Sequence, residues 1–300
     1  MVRKLIAFVV GLVGLIAAVV TLREYLRSPD DTVLLFDSTD EIVLTPKNVD
    51  RLLRESPVLQ AARILVADSV RVPPGTVIAA NQLELVDDAV LSGSDLTVVA
   101  TKVIGGAVEA NGTAGRRGQA PGARGDNGAP GGRLVMGVAR VAGVRVSAQG
   151  GAGGAGADGA AGSNGRNGNC GGFGAWKKAQ PGDDGKPGGN GGDGGRGGTL
   201  VVVSSSDFDQ VANSGGPGGD PGAGGSGGRG GAGCTGAGGS QASRGDGRPG
   251  ASGRAGTAGG TGQRCVRKVS FSEIKSIWEQ FTGNGEAALL QEGLQRLCAS

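Results

Sequence analysis

The 300-residue chain contains no histidine. That excludes Ser-His-Asp and Cys-His catalysis, imidazole metal ligation and imidazole pH switching. Any chemistry would rest on carboxylates. Asp183/Asp184 and Asp207/Asp209 are the close acidic pairs of the later part of the chain. Paired carboxylates with basic neighbours on one rigid face could cut a polysaccharide. Asp207 and Asp209 bracket Phe208 just after a strand pattern and could project together. Asp183 and Asp184 sit in a glycine loop, a poor place to hold a group to ~0.5 Å. Arg124-Gly125-Asp126 and Arg244-Gly245-Asp246 spell the tripeptide that integrins bind, although a glycine-triplet region rich in Arg and Asp produces it by composition. Trp176 with Lys177 and Lys178 puts an aromatic beside two cations, suited to a glycan or an anionic polymer, or simply to a chain reversal.

Cys170, Cys234, Cys265 and Cys298 match no zinc spacing. Four cysteines allow two disulfides in three connectivities. In an exported protein the expected pairs are Cys265–Cys298, flanking a helical tail, and Cys170–Cys234, tying two glycine-rich blocks; four unpaired thiols is the alternative. Gly-Gly-X-Gly-X-Asp occurs at Gly153–Asp158, Gly188–Asp193 and Gly215–Asp220. As a calcium site it needs a large apolar residue two positions beyond the Asp, and Ala160, Gly195 and Gly222 stand there, so we reject calcium. No catalytic, cofactor-binding or metal-binding residue is assigned. The net charge of +3, with both signs interspersed, does not indicate a nucleic-acid partner.

The elements carrying these residues are unusual. Gly accounts for 64 residues, concentrated in 105–262, and aromatic residues for only 3%. From Gly150 to Gly174, and again from Gly182 to Gly197, glycine falls on every third residue. That period predicts an extended threefold helix with a bare edge, against which another backbone can lie. Paired glycines (Gly191-Gly192, Gly194-Gly195, Gly224-Gly225, Gly227-Gly228) clear two edges, as a central member of a bundle requires. Blocks such as 122–131 and 247–256 resemble bacterial collagen-like envelope proteins. Proline is too sparse and the blocks too short for a triple helix. The expected form is an intramolecular, antiparallel polyglycine-II-like bundle, a monomer rather than a collagen trimer, with plain disorder as the rival.

Arg3 and Lys4 precede Leu5–Leu22, eighteen residues without a charge, which predicts an uncleaved transmembrane signal-anchor over 1–28, with a cleaved export signal as the alternative. Residues 29–61 predict a hairpin, from Val33–Phe36 and Ile42–Leu44, and a short helix capped by Thr45-Pro46. Over 62–148 short apolar pairs alternate with polar residues, and Ile64, Leu83 and Val103 recur at 19 and 20 residues, as do Val70, Val90 and Val108 at 20 and 18. This stretch resembles the right-handed parallel β-helix family, which implies a mainly β stack of three short strands per turn; a meandering sandwich is the alternative. Glycine inserts (112–132 and 149–262) would leave this scaffold and return to it, with a scaffold strand at 199–203 between them. In 263–300 a Ser270–Glu273 capping box opens an amphipathic helix (Ile274, Ile277, Trp278, Phe281), followed by a second (Leu290, Leu294, Leu297), expected to cap the end of the stack.

These features predict a membrane-anchored, extracytoplasmic structural or adhesion-type protein without catalysis, possible partners being an envelope polysaccharide or a surface protein. The alternatives are a polysaccharide-binding or -degrading protein, an ice-binding protein or a host-cell adhesin.

Overall fold

In the computed structural model the described residues are Leu35 and 38–299, except 172–175, 209, 238 and 285–286. The segment expected to span the membrane, Leu5–Leu22, lies outside them. Among the described residues no helix is long and apolar enough to cross a membrane.

The chain is mainly β with parallel sheets and few helices. It passes alternately through a long and a short strand, and each pass lies beside the last. The long strands are β1 (Glu41–Leu44), β2 (Val58–Val66), β4 (Thr76–Leu85), β6 (Asp95–Ile104), β8 (Arg133–Ala142), β12 (Thr199–Ser204) and β16 (Gln263–Lys268), paired in that order in one seven-stranded parallel sheet. The short strands are β3 (Val70–Arg71), β5 (Val90–Ser92), β7 (Ala107–Glu109), β9 (Arg145–Ser147) and β13 (Val211–Ala212), which form a second parallel sheet. Ile64 lies opposite Leu83, and Leu83 opposite Val103, in the register expected from the 19–20-residue period. The second row is Val70, Leu91 and Val108, not Val90, because the preceding 3-10 turn Val86–Asp88 holds Asp87 and Asp88 at positive φ and advances the chain by one residue.

Three short strands per turn were expected. Instead, the first two merge into one long strand bent at a corner. Inward residues alternate at Ile78 and Ala80, then skip to Leu83 and Leu85; likewise Val98 and Ala100 skip to Val103. Two successive residues, such as Thr101 and Lys102, therefore face away from the interior. At its start the interior is plugged by α1 (Val49–Glu55), which contributes Val49 and Leu53. Thr45 accepts the Val49 N–H through its backbone carbonyl, while Asn48 occupies the N-cap, so this helix begins later than Thr45-Pro46 suggests. β1 pairs parallel with β2; most of the other limb of the expected hairpin lies outside the described residues.

The tail does not cap the end of the stack. α2 (Phe271–Asn284) and α3 (Ala287–Ala299) lie across the outer face of the long sheet, where Phe271, Ile274, Trp278, Phe281, Leu290 and Leu294 bury Val77, Ala79, Val99, Val135, Val201 and Val203. Ser270 and Glu273 form the capping box: Glu273 Oε2 accepts the Ser270 N–H at 2.9 Å. The long sheet is thus apolar on both faces, as a parallel sheet buried on both sides must be. A disulfide joins Cys265 in β16 to Cys298 in α3 and ties the tail to the sheet.

Candidate functional site: the glycine-rich bundle and its distal end

Three hairpin-like excursions leave the two sheets at one corner. Each has an outgoing and a returning extended segment, lettered in chain order: a (112–118) and b (123–132), c (149–168) and d (179–198), e (213–233) and f (242–262). Segments a, c and e continue the short strands β7, β9 and β13; b, d and f lead into the long strands β8, β12 and β16. The bundle is therefore two layers, each extending one sheet.

Within a layer neighbours run parallel. Gly153, Gly156, Gly159, Gly162, Gly165 and Gly168 donate in turn to Pro217, Asp220, Ala223, Ser226, Arg229 and Ala232 carbonyls on e. Between layers they run antiparallel: Gly189, Gly192 and Gly195 on d donate to Ala157, Gly154 and Gly151 on c. Every third residue thus serves one neighbour. Such extended segments have no internal hydrogen bonds, so these contacts are what satisfy the backbone. Glycine is required where segments meet: a Cβ on Gly191 would overlap the Gly219 carbonyl, and one on Gly192 the Asp126 carbonyl. Segment d carries glycine pairs only from Gly188-Gly189 onward, the stretch that faces b. Beyond the tip of the first hairpin the second position becomes Lys186 and then Asp183.

Outward-facing N–H groups follow a second rule that the glycine period does not reveal. Asn or Asp side chains on one segment accept from the backbone of the next parallel segment: Asn127 from Asp193, Asp158 from Ala223, Asn164 from Arg229, Asn167 from Ala232, Asp184 from Arg248, Asn190 from Arg254 and Asp193 from Thr257. Pro217 stands opposite Ala152, where no such acceptor exists and no N–H needs one. Recurrence of Asn/Asp with a partner 64–66 residues later was the signal available in the sequence.

These contacts occupy most of the residues that first suggested chemistry. Asp183 accepts the Ser163 hydroxyl, and Asp184 the Arg248 N–H at 2.6 Å. Asp207 is exposed and pairs with Lys268 at 3.2 Å; Asp209 lies outside the described residues. Of the Gly-Gly-X-Gly-X-Asp carboxylates, Asp158 and Asp193 are bundle acceptors. Asp193 is held below the usual aspartate range by the Thr257 N–H and hydroxyl, then by Arg124. In the tripeptide at 124–126, Arg124 bonds to Asp193 at 2.7 Å and Gly125 is buried between segments. In that at 244–246, the Asp246 carboxylate accepts the Gly230 N–H at 2.7 Å, and Arg244 and Gly245 are exposed near the distal end.

That end is closed by two small hairpins, β10 (Asn169–Cys170) with β11 (Trp176–Lys177) and β14 (Cys234–Gly236) with β15 (Gly239–Gln241). The Cys170–Cys234 disulfide joins them. Trp176 is 45% exposed, with the Lys178 ammonium 5.8 Å from its ring centroid. The structure thus brings Cys170, Cys234, Trp176, Lys178 and the second tripeptide to one end. It leaves the first tripeptide near the base and Asp207 on the scaffold. Comparison with family models finds no match to this chain, and comparison with curated proteins finds none either.

Proposed function

We propose that this is a membrane-anchored, extracytoplasmic structural or adhesion-type protein: a parallel β-helix-like scaffold that carries a polyglycine-II-like arm. Leu5–Leu22 would hold it in the membrane, and the arm would present its distal end to an envelope polysaccharide or a surface protein. One observation carries this reading. All three glycine excursions leave from a single corner and are hydrogen-bonded along their length, which makes a stiff projection. At a rise of about 3.1 Å per residue, the twenty residues of segment c extend it by roughly 60 Å. Backbone bonding of this density resists bending, whereas an unbonded glycine tract would collapse as a flexible coil. Segments from one chain fill the bundle, so no collagen-like trimer is needed. The disulfides fit an oxidising compartment.

The test is topology. In spheroplasts expressing the full chain, a membrane-impermeant thiol reagent applied after mild reduction is expected to label Cys170 and Cys234 from outside. The protein should leave the membrane fraction when Leu5–Leu22 is replaced by a polar sequence. Labelling only after lysis would overturn the reading.

A further inference from the structure

Among the described residues, positive charge without an ion-pair partner clusters at the distal end of the bundle. Backbone contacts put the last two turns of four segments in one cross-section: the Gln180 N–H bonds the Arg166 carbonyl, that of Gly231 bonds Gln180, that of Arg244 bonds Gly231, and that of Gly165 bonds Arg229. Arg166, Arg229 and Arg244 are therefore neighbours, with Lys177 just beyond on the strand paired to Asn169 and Lys178 next after it. All five are exposed. Among the described residues none of the five forms an ion pair, whereas Arg117 and Arg124 nearer the base are each bound to an aspartate. Three carboxylates share this end, and each is engaged: Asp246 by the Gly230 N–H, Asp184 by the Arg248 N–H and Asp183 by the Ser163 hydroxyl. With Arg248, six cations stand against these three carboxylates, an excess of three that equals the +3 of the whole chain. The remainder of the molecule thus sums to no net charge, and the excess positive field lies at the tip.

We infer that this collar, with Trp176, is a binding surface for an acidic polysaccharide. The inference rests on the proposed outward arm and names its partner. Three features select this class. A stiff polymer with one carboxylate per sugar or two meets cations whose backbone is already fixed, so only side chains must be ordered on binding. The half-exposed Trp176 ring, with Lys178 at its side, offers an apolar platform for a pyranose and a cation for the adjacent carboxylate. A lipid surface would require several apolar side chains to insert, and Trp176 is the one large exposed apolar residue among the described residues of this end. A single-stranded nucleic acid would stack its bases on several aromatic rings, and Trp176 is the one exposed aromatic residue among the described residues of this end.

The experiment titrates the full chain, in nanodiscs of neutral lipid, into fluorescently labelled polygalacturonate and follows anisotropy. Saturable binding that weakens with salt is expected, with none to neutral dextran. Replacing Lys177→Gln, Lys178→Gln and Arg244→Gln together should weaken binding about tenfold or more, equivalent to about 1.4 kcal/mol. A control removes the same charge at the opposite end, in and beside α1, through Lys47→Gln, Arg51→Gln and Arg54→Gln; it should change affinity less than twofold. Trp176→Ala should weaken polygalacturonate binding as well. Equal losses in the two triple variants would mean net charge alone, and would overturn the inference. So would absence of binding, or tighter binding of a single-stranded oligonucleotide or of phosphatidylglycerol vesicles. Each can fail while the thiol labelling still places the arm outside the membrane, so the two readings are separable.

Discussion

Two glycines of the same bundle should respond in opposite directions to the same methyl group. Gly192 lies in segment d between b and c, and its added Cβ would run into the Asp126 carbonyl. The obstacle is backbone held by its own bonds, so it cannot swing aside as a flexible side chain would. Forcing a methylene into such a site costs about 1–3 kcal/mol. Two hydrogen bonds stretch with it, Gly192 N–H to Gly154 O and Gly219 N–H to Gly192 O, both 2.8 Å. Each contributes about 0.5–1.5 kcal/mol. Alanine restricts the unfolded chain and returns roughly 0.4–1 kcal/mol. Gly192→Ala should therefore destabilise by about 3 kcal/mol. Gly260, at the base of segment f, has nothing within 4 Å of the added Cβ and no left-handed φ. There only the unfolded-state term operates, and Gly260→Ala should be neutral or stabilising by up to about 1 kcal/mol. Amide hydrogen exchange on the full chain, read over segments c, d and e, separates the two. Identical exchange in both variants, or exchange across 150–198 as fast as in an unstructured peptide, would refute the packed bundle.

Further outcomes follow from the same contacts. The Cys170–Cys234 bond closes a loop with a separation of 64 residues, worth about 4 kcal/mol in the chain-entropy limit; reduction should speed exchange at the distal ends of c and e while leaving β4 and β6 protected. Trp278→Ala should cost about 3–5 kcal/mol, since the side chain is 2% exposed and holds α2 to the sheet, and limited proteolysis should then release the tail. Asp193 has a lowered pKa in the folded state, so its contribution is present above the ordinary aspartate range and is lost as pH falls through the folded value. Asp193→Asn, which keeps the acceptor oxygen for Thr257, should melt closer to wild type than Asp193→Ala and lose that acid sensitivity, as thermal scans at several pH values would show.

The sheet register was legible where a period and an alternation coincided. Ile64, Leu83 and Val103 satisfy both, and they stack. Val90 satisfies the spacing alone, and the turn at Asp87 and Asp88 shifts the row to Leu91. The place of the tail was not read, because an amphipathic stripe states that a face is buried and not what buries it. A clue lay elsewhere in the chain: Val77–Ala80 and Leu200–Val203 are apolar at successive positions, as strands covered on both sides must be. The carboxylates were misleading for a related reason. An aspartate in a glycine triplet looks like a ligand or an acid, yet at the outward position it replaces a backbone acceptor for the next segment. Only the 64–66-residue offset between partners distinguishes these roles, and that offset has no meaning until the excursions are known to stack.

That offset also explains why scaffold and arm form one construction. β8 and β12 are related by 66 residues and β12 and β16 by 64, as are the segments b and d, and d and f, that lead into them, while c and e are offset by 65. Each pass of the chain is therefore one long loop in which the sheets and both layers advance together. Length can change only in whole triplets, and only in the two segments of one excursion together. Removing Ser252-Gly253-Arg254 from f alone should displace every glycine distal to the cut by one turn. Each would still meet a carbonyl on e, and the Gly245 N–H would take the place of that of Arg248 at Asp184, but β15 would no longer reach β14. Removing Gly222-Ala223-Gly224 from e as well shortens both arms equally and restores the join between the tip hairpin and its own segments. It would leave Cys234 one turn, about 9 Å, short of Cys170, beyond disulfide reach. The paired deletion should therefore recover exchange protection in β14 and β15 yet leave two thiols free to alkylation, whereas the single deletion should lose protection in that hairpin. Full protection of β14 and β15 in the single deletion would show that e and f slide freely past one another, and that their matched lengths do not set the register.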